Sequence, residues 1–194
     1  MQNRTILITG FDPFGGESTN ASWEAVKRLP EKIGNLQIHK LEIPTVFGEA
    51  AEKVLQAAEA LHPQVILCVG QAAGRSAVTP ERIGINIRDA RIPDNRGYVP
   101  ADVPVVPDGP AAYFATVPVK DMVSAIQQKN IPASVSNSAG TFVCNDLFYT
   151  LLHHFDGTPT QVGFIHIPLL PEQGSPALPL EDAIAALTAA IEAC

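Results

Sequence analysis

The chain has 194 residues, of which 46% are hydrophobic and 17% are charged, and its formal net charge is -7. This is the composition of a globular domain that buries a core without disulfides or a structural metal, and it excludes an intrinsically disordered chain. The acidic balance argues against nucleic acid or an anionic membrane as a partner. Neither a signal peptide nor a membrane span is apparent in the sequence.

The first half of the chain alternates between strand and helix patterns. Short β-branched runs that end in glycine are typical of buried parallel strands, and Ala- and Glu-rich segments with apolar residues at helical spacing predict amphipathic helices. These patterns predict strands at 5–10, 36–43 and 64–70 and helices at 20–29 and 49–61. We therefore expect one α/β domain over residues 1–194, a three-layer sandwich with a twisted, mostly parallel (mixed) sheet and helices on both faces.

The second half is irregular in its middle. Residues 93–118 contain six prolines and little regular pattern, which is unusual in a compact domain unless the segment has a function. Within this segment only a short strand at 112–115 is predicted; outside it the patterns predict strands at 83–88, 133–136 and 162–168 and helices at 121–129, 144–155 and 180–194. The apolar, Pro-rich segment 168–179 cannot pair in the centre of a sheet, and we expect it to cover part of a subunit interface.

Cys144 lies where a loop meets a predicted helix. Asn137, Ser138 and Gly140 supply the loop, and the helix begins at about Cys144. Unpaired N–H groups at a helix N-terminus stabilise an anion, so we expect the pKa of the thiol to be lowered below its free value of about 8.5. The same N–H groups are suited to receive an oxyanion. The alternative is that Cys144 is a small buried hydrophobe.

His166 and Glu81 are candidate partners for this thiol. His166 lies near the end of a predicted strand, at the edge of the sheet where the Cys144 loop is expected, and a cysteine nucleophile needs a base that is itself oriented by an acceptor. Glu81 is a candidate for that acceptor. The alternatives are a hydrogen-bonded core histidine and an exposed carboxylate paired with Arg82.

No metal or cofactor site is indicated. Cys68, Cys144 and Cys194 are far apart and form no CxxC motif, which is typical of free thiols in a reducing cytoplasm. His153 and His154 are adjacent and would project in different directions from a helix, so they make a poor pair of metal ligands. The glycine-rich loop after the first strand matches neither GxGxxG nor a P-loop.

Five blocks of sequence resemble one known family. They are GFDPFGG at 10–16 followed by Asn20 and Trp23, VGQAAGR at 69–75, ERIGINIRDARIPDN at 81–95, SAGTFVCN at 138–145 and GFIHIPLLPEQ at 163–173. In this order the blocks resemble the type I pyroglutamyl peptidases (pyrrolidone carboxyl peptidases), which are cytosolic cysteine peptidases. The resemblance covers essentially the whole chain. The chain has Ala21 where the family usually has Pro, and Ala73 where the family usually has Gly. Both differences affect loop conformation more than chemistry.

The resemblance implies an activity and its residues. The family removes N-terminal pyroglutamate (5-oxoproline) from peptides without a cofactor, and it often forms tetramers, so a homo-oligomer is expected. Carried over to this chain, it implies Cys144 as nucleophile, His166 as general base and then acid, and Glu81 as the group that orients His166. Arg91 and the Cys144 N–H are implied to hold the oxyanion. The implied substrate pocket is formed by Phe11, Phe14, Thr45, Ile92 and Phe142, with Asn20 and the backbone of Gln71 on the lactam polar groups.

The chemistry of this substrate agrees with the pocket. A pyroglutamyl ring is an uncharged lactam with one N–H and one C=O, so an aromatic slot with one or two polar groups suits it. Two other classes stay open: a different cysteine hydrolase or amidotransferase that acts on another amide, and a binding protein that keeps the pocket without the chemistry.

Overall fold

A six-stranded mixed sheet forms the centre of the computed structural model, which describes residues 4–194. Its strand order is β2-β3-β1-β4-β8-β5, and β3, β1, β4 and β8 are parallel, whereas β2 and β5 run antiparallel at the two edges. The strands are β1 (Arg4–Phe11), β2 (Lys32–Ile33), β3 (Leu36–Ile43), β4 (Val65–Gln71), β5 (Thr79–Pro80) and β8 (Gln161–Ile167). A separate two-stranded antiparallel sheet pairs β6 (Ile83–Ile85) with β7 (Ala112–Phe114).

Five helices cover the two faces of the large sheet: α1 (Ala21–Val26), α2 (Glu49–Leu61), α3 (Val119–Gln127), α4 (Val143–His154) and α5 (Leu180–Glu192). Because successive strand residues point to opposite faces, Ile6 and Ile8 of β1 pack in the core under α1, α3 and α5, while Leu7 packs in the core under α2 and α4. The central strands are buried on both faces, which explains their nearly continuous apolar sequences. The predicted mixed, mostly parallel sheet with helices on both faces is confirmed.

Three predicted elements differ in extent from those in the structure. The first helix ends at Val26 instead of residue 29, because Arg28 and Leu29 close tighter turns onto Ala25 and Val26. The predicted strand 83–88 stops at Ile85. The predicted strand 133–136 makes only isolated bridges, including one from Ser136 to Glu81.

The Pro-rich segment 168–179 is partly buried and partly exposed. Leu170 and Leu178 are buried in the same core as α5, whereas Pro171, Glu172 and Pro179 are exposed. The subunit interface over this segment stays a prediction. By contrast, residues 93–118 have little regular structure apart from β7, as predicted. Between Arg4 and Cys194, no helix combines the length and apolar character needed to cross a bilayer.

Candidate active site

The candidate site lies at the carboxyl edge of the parallel strands. The sheet order reverses beside β1, because β3 lies on one side of it and β4 on the other. In open α/β sheets such a reversal leaves a crevice outside the strand ends, where ligands bind. Phe11 ends β1, Gln71 ends β4 and His166 is the penultimate residue of β8, so all three reach this crevice.

His166 and Glu81 form a buried pair. The imidazole Nδ1 lies 2.7 Å from Glu81 Oε1, and the exposed fractions of the two residues are 4% and 0%. An ionised carboxylate only accepts hydrogen bonds, so Nδ1 carries the proton and Nε2 is left as the basic nitrogen. The strand pairing produces this contact, because Thr79 and Pro80 of β5 pair with His166 and Ile165 of β8 just before Glu81.

Cys144 meets His166 across Gly70. A side chain built at Gly70 would place its Cβ 3.0 Å from Cys144 Sγ and 3.1 Å from His166 Cδ2, so the sulfur and the imidazole lie together over the same glycine. Gly70 and His166 are paired neighbours on β4 and β8. Cys144, His166 and Glu81 are therefore brought together, as the sequence predicts, in the order thiol, imidazole and carboxylate.

The buried carboxylate is held in its charged form. Burial alone would raise the pKa of Glu81, but the hydrogen bond from His166 and its charge outweigh burial, with help from the hydrogen bond of Arg75, and lower the pKa below its usual value. The Ser136 hydroxyl donates to the carbonyl of Ser138. Glu81 Oε2 is buried with no hydrogen-bond partner among residues 4–194, and the hydrogen bonds from His166 and Arg75 are both made to Oε1.

Burial governs the protonation of the other two groups. It lowers the pKa of His166 below its usual value, although the hydrogen bond and charge of Glu81 oppose the change. Burial and the nearby Glu81 charge raise the pKa of the Cys144 thiol to about 12. The prediction of a lowered thiol pKa is wrong, because desolvation exceeds the effect of the helix N-terminus. The resting site holds a neutral thiol beside a neutral imidazole.

Cys144 lies in the first turn of α4, which begins one residue earlier than predicted, at Val143. The first hydrogen bond of the helix joins the N–H of Asp146 to the carbonyl of Phe142, so the N–H groups of residues 143–145 have no helical acceptor. The Cys144 N–H already acts on its own sulfur and lowers the thiol pKa slightly. An N–H group at the start of a helix, beside the nucleophile, is suited to receive an oxyanion.

A small cavity of about 140 Å³ opens beside the thiol and the imidazole. It is smaller than typical ligand pockets of roughly 300–1,000 Å³ and suits a single ring better than a chain. None of the nine described residues that line it is Asp, Glu, Lys or Arg. The lining residues are Phe11, Phe14, Asn20, Thr45, Gln71, Ala139, Phe142, Cys144 and His166.

Besides the buried Glu81, two of the predicted site residues, Arg91 and Ile92, lie outside this cavity. Ile92 is 46% exposed and lines two neighbouring cavities, one of which it shares with Arg91 and Phe142. Arg91 is exposed and makes no hydrogen bond or ion pair with another residue in the range 4–194. The structure does not bring Arg91 into contact with Cys144. Ala139, which the sequence analysis missed, lines the cavity instead.

Asn20 presents one spare donor to the cavity. Its Oδ1 accepts from the N–H and hydroxyl of Ser22, which makes it the N-cap of α1, and its Nδ2 donates one hydrogen to the carbonyl of Asp12. An amide NH₂ has two hydrogens, so one N–H stays available. Gln71 Oε1 accepts from the N–H of Ala21 and from Gln173 Nε2, so this oxygen is engaged, while the Nε2 donors and the backbone of Gln71 stay available to a ligand.

A cation that the sequence patterns do not indicate lies beside Glu81. Arg75, in the loop after β4, lies 2.7 Å from Glu81 Oε1, so the alternative of an exposed Glu81 paired with Arg82 is wrong. The only available signal was that Arg75 falls within the VGQAAGR block. No set of three or more His, Cys, Asp or Glu side chains in the described part of the chain is arranged to hold a metal.

This arrangement of thiol, imidazole and carboxylate at the edge of a parallel sheet defines the class: an α/β cysteine hydrolase. A family model described as Pyroglutamyl peptidase matches residues 4–194. The chain belongs to the pyroglutamyl peptidase family.

Relatives and solved structures agree over the full length. The chain is 56% identical to the pyrrolidone-carboxylate peptidase of Levilactobacillus brevis, over 97% of this chain and 96% of that protein. It is 52% identical to the pyrrolidone-carboxylate peptidase of Escherichia fergusonii, over 97% and 91%. The crystal structure of pyroglutamyl peptidase I from Bacillus amyloliquefaciens superimposes with a TM-score of 0.95 at 45% identity, covering 99% of this chain and 95% of that chain.

Proposed function

We propose that this chain removes an N-terminal pyroglutamyl (5-oxoprolyl) residue from peptides by the action of Cys144, His166 and Glu81. One observation carries the proposal: the imidazole of His166 is held 2.7 Å from Glu81 on one side and meets the Cys144 sulfur across Gly70 on the other. The thiol opens into a cavity of about 140 Å³ that has aromatic walls and no Asp, Glu, Lys or Arg among its described lining residues.

The reaction begins with proton transfer. As the sulfur attacks the carbonyl carbon of the scissile amide, and not the lactam carbonyl, His166 Nε2 takes the thiol proton. The resulting imidazolium is stabilised by ionised Glu81. The C–N bond breaks when His166 gives this proton to the leaving amine, and a thioester remains on Cys144. His166 then removes a proton from water, the hydroxide attacks the thioester, and pyroglutamate leaves as the thiol is reprotonated. Since the thiol is neutral at rest, proton transfer belongs to the attack step.

The negative charge of the tetrahedral intermediate needs donors. The Cys144 N–H at the start of α4 supplies one. Arg91 remains our proposed second donor, on the strength of the resemblance and of its exposed side chain in the cavity that adjoins Phe142. It would have to turn towards Cys144 when the substrate binds.

The cavity suits the lactam ring through its aromatic walls and two polar groups. Phe11, Phe14 and Phe142 enclose the ring, while Thr45 and Asn20 lie at the polar side. We assign the spare N–H of Asn20 to the lactam carbonyl and the backbone carbonyl of Gln71 to the lactam N–H. Ile92, from the neighbouring cavities, would contact the ring only at its rim.

A panel of three anilides tests this function. The pyroglutamyl anilide should be cleaved, whereas the prolyl anilide, which lacks the lactam carbonyl, and the alanyl anilide, which carries a free amine, should not. A site that hydrogen-bonds a polar substrate group rejects analogues without it by on the order of 10⁴-fold. Comparable cleavage of all three would indicate another cysteine hydrolase, and tight pyroglutamate binding with no cleavage would indicate a binding protein.

We also propose the cellular compartment, the domain organisation and the oligomeric state of the enzyme. Three free cysteines are consistent with a reducing cytoplasm, and both cores pack on one sheet, consistent with one catalytic domain over 1–194. We further expect a homo-oligomer, a tetramer by the family resemblance, because large hydrophobic side chains are exposed at Ile92, Tyr98, Val99 and Phe114. Light scattering at working concentration tests this, and a monomeric mass would contradict it.

A further inference from the structure

Arg75 joins three parts of the active site without touching the substrate cavity. Its Nη1 lies 2.7 Å from Glu81 Oε1 and also donates to Thr79 Oγ1, and its Nη2 donates to the carbonyl of Ser138 over 3.1 Å. The side chain is 29% exposed, and Arg75 is not among the residues that line the cavity beside Cys144.

Each of these contacts leads to a reacting group. Glu81 holds His166 through Nδ1. Thr79 pairs with His166 between β5 and β8, and its hydroxyl donates to the carbonyl of His166. Ser138 lies in the loop that leads into α4 and Cys144. One guanidinium therefore contacts the carboxylate, the strand beside the base and the loop that carries the nucleophile.

The carboxylate of Glu81 depends on this cation. Within the described part of the chain Oε2 has no hydrogen-bond partner, and Oε1 alone accepts from both His166 and Arg75. His166 is neutral at rest, and Arg75 is the only described side chain that brings a permanent positive charge into contact with Glu81. A buried carboxylate without a cation would be costly and would be free to turn away from the imidazole.

We propose that Arg75 is a positioning residue of this peptidase, which fixes Glu81 and the Ser138 loop so that His166 faces Cys144. The proposal rests on the function proposed above. Arginine suits this role better than lysine, because its planar fork reaches several acceptors in a fixed geometry whereas an ammonium acts as a single point charge.

A double-mutant cycle on pyroglutamyl anilide tests the proposal. We expect Arg75→Met to lower kcat by about 10- to 100-fold, the size typical of lost outer-shell partners, with little change in KM because the lactam cavity is untouched. Since Arg75 acts through Glu81, Arg75→Met should cost much less in a Glu81→Gln background. Arg75→Lys should recover only part of kcat, because it restores the charge and not the fork.

The pH profile gives a second readout that a purely structural role would not move. The charge of Arg75 lowers the pKa of His166, so its removal should shift the acid limb of kcat/KM to higher pH. Arg82→Met is the matched control: it removes the guanidinium next to Glu81 in sequence, which makes no side-chain hydrogen bond or ion pair within 4–194, and it should leave kcat and the limb unchanged.

The proposal would be overturned if the kcat losses of Arg75→Met and Glu81→Gln were additive in the double variant and the acid limb of Arg75→Met stayed at the wild-type pH. The wild-type chain is measured in parallel, so failure of the proposed function would appear separately, as absence of pyroglutamyl cleavage before any substitution. Melting curves establish that each variant is folded, and Arg75→Lys keeps the test available if Arg75→Met does not fold.

Discussion

Gly70 lies directly beneath the sulfur of Cys144, and a Cβ at this position would be 3.0 Å from Sγ. The absence of a side chain is therefore what allows the thiol and the imidazole of His166 to meet over β4. The same Cβ would lie 3.0 Å from the ring of Phe164, which is buried in the core and cannot retreat. The sulfur or the imidazole would have to move instead.

We expect Gly70→Ala to reduce kcat by on the order of 10-fold or more, because small displacements of reacting groups are costly to catalysis. KM should change less, since Gly70 does not line the cavity. Gly163→Ala is a matched control in β8, where the new Cβ would crowd Val117 and not the thiol. It should lower the melting temperature while keeping kcat per folded molecule. Equal kcat for Gly70→Ala and the wild type would show that the thiol does not need this space.

The second prediction concerns the acid limb of the pH profile. Burial lowers the pKa of His166, so the neutral base persists to a pH below its ordinary value of about 6.5, and kcat/KM should decline only below that point. Glu81 opposes the effect of burial, because its hydrogen bond and its charge raise the pKa of His166. Glu81→Gln removes the charge and should move the acid limb to still lower pH.

Glu81→Gln should also reduce the plateau value of kcat, though less than His166→Ala, because an orienting group contributes less than the base. Full pH profiles of the wild type and Glu81→Gln on pyroglutamyl anilide provide the measurement. A limb that shifts upward in Glu81→Gln would contradict the assigned contact between the carboxylate and the imidazole.

The elements that could be predicted are those whose apolar residues recur with the period of a helix or a strand. β3 at Leu36–Ile43 and α2 at Glu49–Leu61 match the predicted segments in full, because their apolar patterns depend only on neighbouring residues. β5 could not be predicted, since Thr79 and Pro80 form a strand only by pairing with β8, more than eighty residues away along the chain.

The same distinction applies to the site. The thiol, the imidazole and the carboxylate were predicted because each falls in a long sequence block. Arg75 could not be predicted as the ion-pair partner of Glu81, because Arg82 follows Glu81 directly in the sequence and is the nearer candidate. In an extended chain, however, adjacent side chains point to opposite sides, so Glu81 is buried whereas Arg82 is only half-buried. The thiol pKa was predicted in the wrong direction, because sequence does not reveal how completely a side chain is desolvated.

The third prediction follows from this desolvation. Because the pKa of Cys144 is raised to about 12, only a small fraction is thiolate at neutral pH, and labelling by iodoacetamide should accelerate about tenfold per pH unit between roughly pH 7 and 9. Mass spectrometry locates the label. Cys68 is fully buried and should stay unlabelled in the native enzyme, which makes it the internal control. A rate that is already constant near pH 7 would mean that Cys144 is ionised at rest by transfer of its proton to His166.

The last prediction separates two roles of Asn20, which caps α1 through Oδ1 and offers one spare N–H to the cavity through Nδ2. Asn20→Ser should keep most of the capping, because serine is also a favoured N-cap, yet its shorter side chain loses the donor. We expect normal melting with a sharp loss of preference for pyroglutamyl over prolyl anilide, since the lactam carbonyl is left unpaired. Asn20→Ala loses both roles and should in addition lower stability by about 1 kcal/mol. If Asn20→Ser keeps the full preference, the lactam carbonyl must be bound by another donor, and Asn20 serves only to start the helix.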